Sequence, residues 1–404
     1  MTALGGKRSV WFRAAMLPLG TFALQPELAD SRLTASERAT AKSRPSSIAI
    51  LGDCLWRHGA SACRKRIGKS RGTRRYTVCL TEPLQRSRMP SSSTSTFSKP
   101  EEFEAALRRQ TDVDLLVTEP RDFRSRITQV GLHLLHLAVA HETAPRIAFV
   151  TMRPDTVLVW WPIGRPGSQI WAGVPSLAGE VMTLGPGDRA HARTQGASRW
   201  AALWIPATDL DRYSQALTGA PVRAIHGSSS WRPGSAALQT LHKLHAAAIT
   251  IFERRPGEVL AESVVHGLEQ QLIHALVECL SDGVRGADNR GIAKRHGNLM
   301  ARFEDACAIC QNQAPSLIEL CTTLGVPKWT LRTSCAEHLG MGPMSYLRLR
   351  RLKSVRRALC SASPADSSVA ELARHYGFTE LGRFAARYRQ LFGELPSATL
   401  QRGW

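Results

Sequence analysis

The chain has 404 residues, and its 53 Lys and Arg against 33 Asp and Glu leave a formal net charge of +20. Apolar residues at 43% and charged residues at 21% exclude a chain that is disordered throughout, and no apolar run reaches the ~18 residues that a spanning helix needs. So basic a chain suggests an anionic partner such as nucleic acid rather than a membrane bundle, although charge by itself says nothing of fold.

Residues 1–88 hold 17 Lys and Arg against 5 Asp and Glu. They show no sustained period of 3.6 or 2, and basic patches such as Arg64-Lys65-Arg66 alternate with short unpatterned apolar pieces. The apolar stretch 14–24 contains Pro18 and lacks a small-x-small cleavage site, which argues against a secretory signal. The Arg- and Ser-rich, acid-poor composition of residues 1–88 suits a transit peptide. The expectation adopted is a disordered leader or a translation start assigned too early, since Met89 opens a short polar tail ahead of a helical pattern. From Met89 onward the net charge is +8, of which +6 falls in residues 299–404, on helices expected to face phosphate.

Residues 122–206 read as strands, with candidates at 127–138, 146–152, 156–161, 169–174, 180–184 and 190–206. Gly- and Pro-bearing turns such as Gly185-Pro186-Gly187-Asp188 bound them, as in a barrel or sandwich. Helical patterns follow at 209–217 and 236–279, the second interrupted at Pro256-Gly257. The Gly-, Arg- and Asp-rich stretch 283–298 reads as a linker.

The last hundred residues contain a repeat. Ser316, Glu319, Leu320, Leu324 and Gly325 recur without a gap as Ser368, Glu371, Leu372, Tyr376 and Gly377. Each copy opens with the S-x-x-E capping box, runs apolar along one helical face, and turns at a glycine. A second helix follows each, over 328–339 and 380–392, ending at Gly340 or Gly393 with Pro343 or Pro396 three residues on. Helix, glycine turn, helix is the helix-turn-helix pattern. A basic helix through Arg348, Arg350, Arg351, Lys353, Arg356 and Arg357 joins the copies.

On these residues, 299–404 resembles the DNA-binding domain of the AraC/XylS family of bacterial transcription regulators. Glu371-Leu372-Ala373, Gly377-Phe378, Phe384, Tyr388, Phe392-Gly393 and Pro396-Ser397 carry the likeness. The resemblance implies two recognition helices in successive major grooves, promoter DNA and RNA polymerase as partners, and activation of transcription. In the first unit Leu331 and Cys335 take the buried face, leaving Lys328, Trp329, Arg332 and Thr333 toward the groove. Arg332 could bond a guanine edge bidentately. The second helix offers Arg383 for a base and Arg387 for phosphate. Pro327 stands where the family often has a Ser cap, and Cys335 where it has Phe.

The middle of the chain resembles the cupin-like domain of AraC-type regulators, which implies a small-molecule effector or dimerisation as the control. Trp160, Trp161, Trp171, His191 and Arg193 are the candidate effector contacts, with core packing as the alternative for the tryptophans. Metal cupins cluster His and Glu on paired strands. Here His191 alone follows the Gly-Asp turn and His133 and His136 have the wrong spacing, so no metal or other cofactor is expected. The competing reading is a cupin-like enzyme with an accessory helix-turn-helix tail. Nine cysteines without a regular framework argue against a disulfide scaffold, and Cys307 and Cys310 read as core residues of a reduced, cytoplasmic protein. The expected architecture is α+β and multidomain: a leader over 1–88, a cupin-like barrel or sandwich with helical extension over 89–282, a linker over 283–298, and an all-α double helix-turn-helix over 299–404.

Overall fold

The structure is a computed structural model that describes residues 90–119, 123–164, 167–222, 225–254, 261–285, 290–310 and 315–402. The expectation for 1–88 and the start at Met89 lie outside the described residues.

Alternating side chains and glycine turns build two antiparallel sheets. The strands are β1 (Ser91–Phe97), β2 (Asp112–Val117), β3 (Ser125–Gly131), β4 (His136–Glu142), β5 (Arg146–Thr151), β6 (Thr156–Ile163), β7 (Gln169–Trp171), β8 (Val174–Pro175), β9 (Val181–Leu184), β10 (Arg189–Thr194), β11 (Ser198–Pro206), β12 (Ser228–Arg232) and β13 (Val284–Arg285). The first sheet runs β1-β3-β4-β11-β6-β9-β12-β13 and the second β2-β5-β10-β7-β8. Among the described residues neither sheet closes on itself, so the arrangement is a sandwich rather than a closed barrel.

Two expected strands are split. The stretch 127–138 breaks after Gly131 because Leu132 donates to the Leu135 carbonyl (2.8 Å) and a carboxylate from far along the chain caps the turn. That carboxylate, Glu269, accepts from the backbone N–H groups of Leu134 (2.7 Å) and Leu135 (2.9 Å). The stretch 190–206 breaks at 195–197 into β10 and β11.

Helices α1 (Pro100–Leu107), α2 (Ala207–Thr218), α3 (Ser235–Arg254) and α4 (Glu262–Ser281) belong to this part of the chain. Helix α5 (Arg290–Ile309) begins inside the stretch read as a linker. Leu299, Met300, Phe303, Ala306 and Cys307 bury its apolar face, and the helix extends upstream through Gly297 and Gly291, each glycine costing only about 1 kcal/mol.

The layers follow from strand alternation. Between the sheets lie Leu115, Ile127, Ala148, Trp160, Trp171, Ala192, Trp200 and Trp204, with Phe103 of α1. On the other face of the first sheet Leu137, Val159, Trp161 and Leu203 meet Leu241, Ile249, Leu272 and Leu276 of α3 and α4. Adjacent Trp160 and Trp161 are therefore both buried, one on each side of β6, because both faces of that sheet are covered. All six tryptophans between Trp160 and Trp231 sit in these two cores.

The rest is helical: α6 (Leu317–Leu324), α7 (Lys328–Leu339), α8 (Pro343–Ser361), α9 (Val369–His375), α10 (Leu381–Phe392) and α11 (Pro396–Arg402). The outer face of the second sheet, through Leu116 and Ile147, shares a core with α5, Leu320, Leu324, Leu331, Cys335, Leu339 and Tyr346. Among the described residues no helix is long and apolar enough to cross a membrane.

Candidate nucleic-acid interface

Both copies of the repeat fold alike. The Ser316 side chain accepts from the Glu319 N–H (3.2 Å) while the Glu319 carboxylate accepts from the Ser316 N–H (2.7 Å). Ser368 and Glu371 repeat the exchange at 3.1 and 3.2 Å. Two free donors of each helix start are thus satisfied. Gly325 (φ 64°) caps α6 in the left-handed region, which a side chain would strain. In the second copy Tyr376 closes α9 and Gly377 (φ 76°) takes the left-handed turn.

Helix α7 starts behind Pro327, which offers no side-chain cap. Its buried stripe is Leu331, Ser334, Cys335, His338 and Leu339. Lys328, Trp329, Arg332 and Thr333 are all exposed on the opposite side, and Trp329, at 69% exposure, does not fold back on its own domain. A naked indole of that size beside Arg332 is an unusual solvent face and a suitable nucleic-acid face. Burial pushes the Cys335 thiol up to about 12, so it stays neutral core. On α10 Phe384 and Tyr388 are buried while Arg383 and Arg387 are exposed. Arg383 pairs with Glu380 (2.8 Å) at the solvent surface, a contact of little energy that a phosphate or base could displace.

Four of the six cations of α8 are paired with acids, differently from the expectation that they face phosphate. Lys353 bonds Glu104 and Asp114, and Arg357 bonds Glu104 (2.7 Å). Arg356 joins Glu101 (2.8 Å) to Glu394 (3.0 Å). Arg350 reaches Asp114 (3.1 Å) and Glu304. Three of these acids stand on α1 and β2, some 250 residues away in sequence, so no local pattern reveals the pairing. Burial alone would raise the Asp114 carboxyl, but Lys353, Arg350 and Arg357 outweigh it and hold it below its ordinary value. Glu304 also accepts from Tyr346 Oη (2.5 Å) and pairs with His191 Nε2 (2.8 Å). Burial, reinforced by Arg350, lowers His191 to about 3, and burial beside His191 lowers His338 to about 3. Both imidazoles are neutral at pH 7.

The five candidate effector contacts do not form one site. Trp160 and Trp171 stack between the sheets with ring centroids 5.2 Å apart, and Trp171 Nε1 donates to Ser228 Oγ (2.7 Å). Trp161 lies on the helix side against His242 (5.1 Å) and His245 (4.9 Å). His191 faces outward from β10 toward α7 and α8, because Ala190 and Ala192 take the inward positions. Arg193, on the same outward face, fills the space beside Gly340, where a Cβ would collide with its guanidinium. Of the cysteine pair, Cys307 is buried and Cys310 only partly so. Among the described residues no three His, Cys, Asp or Glu side chains are grouped to hold a metal.

Comparison with known proteins agrees with the C-terminal geometry. Residues 320–402 match the family model described as a helix-turn-helix domain. Over 71 residues the chain is 48% identical to the XylDLEGF operon transcriptional activator 2 of Pseudomonas putida, across 18% of this chain and 45% of that protein. The probable thc operon regulatory protein of Rhodococcus erythropolis is 29% identical over 164 residues, 34% of this chain and 48% of that one. Among solved structures the AraC-like transcriptional activator CuxR is similar at 15% identity and a TM-score of 0.34, covering 65% of this chain and 94% of that chain. The chain spans less than half the length of both curated relatives.

Proposed function

From a C-terminal domain that belongs to the AraC/XylS family of helix-turn-helix proteins, we propose that this chain regulates transcription by binding specific promoter DNA. Residues 299–404 are the DNA-binding part and 89–282 the part that senses a small molecule. The observation that carries the proposal is the pair of matched, capped helix-turn-helix units, each leaving an arginine-bearing face of its second helix in solvent.

Trp329, Arg332 and Thr333 read bases from α7, with Lys328 at its start, and Arg383 and Arg387 hold the duplex from α10. Activation rather than repression follows the similarity to operon activators, and RNA polymerase is the protein partner this reading brings with it. Coupling to an effector requires that the ligand prefer one arrangement of the two parts. The junction of Glu104, Asp114 and Glu304 with α8 is the element whose making and breaking such a preference would bias.

The experiment is selection of bound duplexes from a random pool, followed by gel-shift titration at physiological salt. A selected site bound at least 1000-fold more tightly than random DNA, roughly the lower end for specific regulators, is the expected result. Equal affinity for selected and random DNA would overturn specific regulation in favour of a nonspecific DNA binder.

A further inference from the structure

Between the last turns of α3 and the first sheet lies a groove of about 810 Å³, within the size range of small-molecule sites. Its floor is apolar, made by Val139, Ala201, Ile163 and Trp161. Its rim carries two arginines and a histidine. Arg126 on β3 stands opposite His141 on β4, and His141 opposite Arg199 on β11. Residues opposed in register share a face, with Cβ atoms about 5 Å apart, so two guanidiniums bracket one imidazole at the same end of the groove.

All three side chains are exposed. Arg126 is partly neutralised by Glu253 (3.4 Å), which also accepts from Thr128 Oγ1 (2.5 Å). Arg199 has no carboxylate partner among the described residues. On the helix wall His242 lies against Trp161 and its Nε2 is buried without a hydrogen-bond partner. Of the two guanidiniums only Arg126 faces a carboxylate among the described residues, so the mouth of the groove keeps a positive charge that an anion would meet.

We propose that this groove binds a small amphipathic carboxylate, its charged end on Arg199 and Arg126 and its apolar body along Val139, Ile163 and Trp161. The inference deepens the sensor reading and rests on it for its biological meaning, but the binding itself is measurable without DNA. Of the five effector contacts expected from the sequence, Trp161 alone lines the groove. Burial holds His242 below its ordinary value and His245 at about 4, so at neutral pH these two imidazoles shape the site and the arginines recognise the charge.

The test is calorimetric titration of the full chain with octanoate and 3-phenylpropanoate and with their neutral amides. At least one acid should bind one-to-one, with its amide at least tenfold weaker. Arg199→Gln should lower the affinity for the acid tenfold or more and leave the amide unchanged. Ala246→Trp, which fills the groove from an exposed position on α3, should abolish binding of both while the melting temperature holds. Neither acid binding at millimolar concentration, acid and amide binding alike, or an acid affinity that survives both substitutions overturns the proposal. Gel shift of the same variants without ligand should match the unsubstituted chain. Loss of DNA binding by the unsubstituted chain would count against the regulator reading and leave the groove result standing.

Discussion

The two helix-turn-helix units obey the same local rules and depend on different surroundings. In the second, Leu352, Val355, Leu359, Ala373, Phe378, Phe384, Tyr388 and Leu400 close a core with no residue from outside the unit and its shared helix α8. In the first, Leu116 and Ile147 of the second sheet belong to the core, and His338 at the buried end of α7 presses on Gly173 in the β7–β8 turn. Caps and glycine turns make a unit, whereas its orientation is set by whatever completes its core. The sandwich therefore completes the core behind α7, whereas the core behind α10 is its own and its unit meets the sandwich through polar contacts such as Arg356 with Glu101.

Substitutions in the two cores test this contrast directly. Phe303→Ala and Phe384→Ala should each cost about 3–5 kcal/mol, as buried aromatic truncations do. By native-state hydrogen exchange the first should also expose amides of β2 and β5, and the second only those of its own unit. Equal loss of protection in both units after Phe384→Ala would show that the cores are not separate. Lys353→Met should cost about 3 kcal/mol by urea denaturation, near the low end for a broken buried ion pair, because Arg357 and Arg350 still serve Glu104 and Asp114. If Lys353→Met is neutral, α8 is held by packing alone.

Acid should act on the first unit before the second. His191 and His338 are buried neutral at about 3 in the folded protein, against about 6.5 when free. The unfolded chain therefore binds more protons than the folded protein below about pH 6.5. Stability is full above that value and falls as pH drops toward 3, by up to about 1.4 kcal/mol per pH unit for each group. Asp114, held below its ordinary value, keeps its ion pairs through most of that window and releases them only under stronger acid. A thermal midpoint that falls from pH 7 to pH 5, and falls less steeply in His338→Leu, is the expected measurement. Smallest are the DNA contacts. Arg332→Ala should relax preference at one base pair by about 1–3 kcal/mol, and Arg387→Ala should weaken all sequences alike with a shallower salt dependence. Competition gel shifts separate the two patterns, and the opposite assignment would reverse the roles given to α7 and α10.

Sequence carried furthest where the signal is local. Ser316 and Glu319, Gly325, Gly340 and Gly393 each act within one turn of chain, and the helices they bound appear within a residue of expectation. Exposure of Trp329 and Arg332 likewise follows from helical spacing. Legibility ends where the partner is distant. Strand β1 is a run of Ser and Thr that reads as a polar tail, because it is an edge strand with few apolar obligations and pairs through Thr94 with Thr128 (3.0 Å). The destination of the α8 cations, the capping of the β3–β4 turn by Glu269, and the separation of Trp161 from Trp160 and Trp171 all depend on which layers meet. The Arg126-His141-Arg199 row is invisible for the same reason, since it exists only once the strand register is known.

The presence of Leu116 and Ile147 in the first unit's core has a consequence for how such a chain can be reassembled. A genetic exchange that replaced residues 363–402 would import Ala373, Phe378, Phe384, Tyr388 and Leu400 together and would need to match only one face of α8. An exchange of 290–342 would leave two sheet residues facing an unmatched surface. The natural seam for trading DNA preferences between relatives thus lies inside the DNA-binding half, after α8, and not at the border between that half and the sandwich.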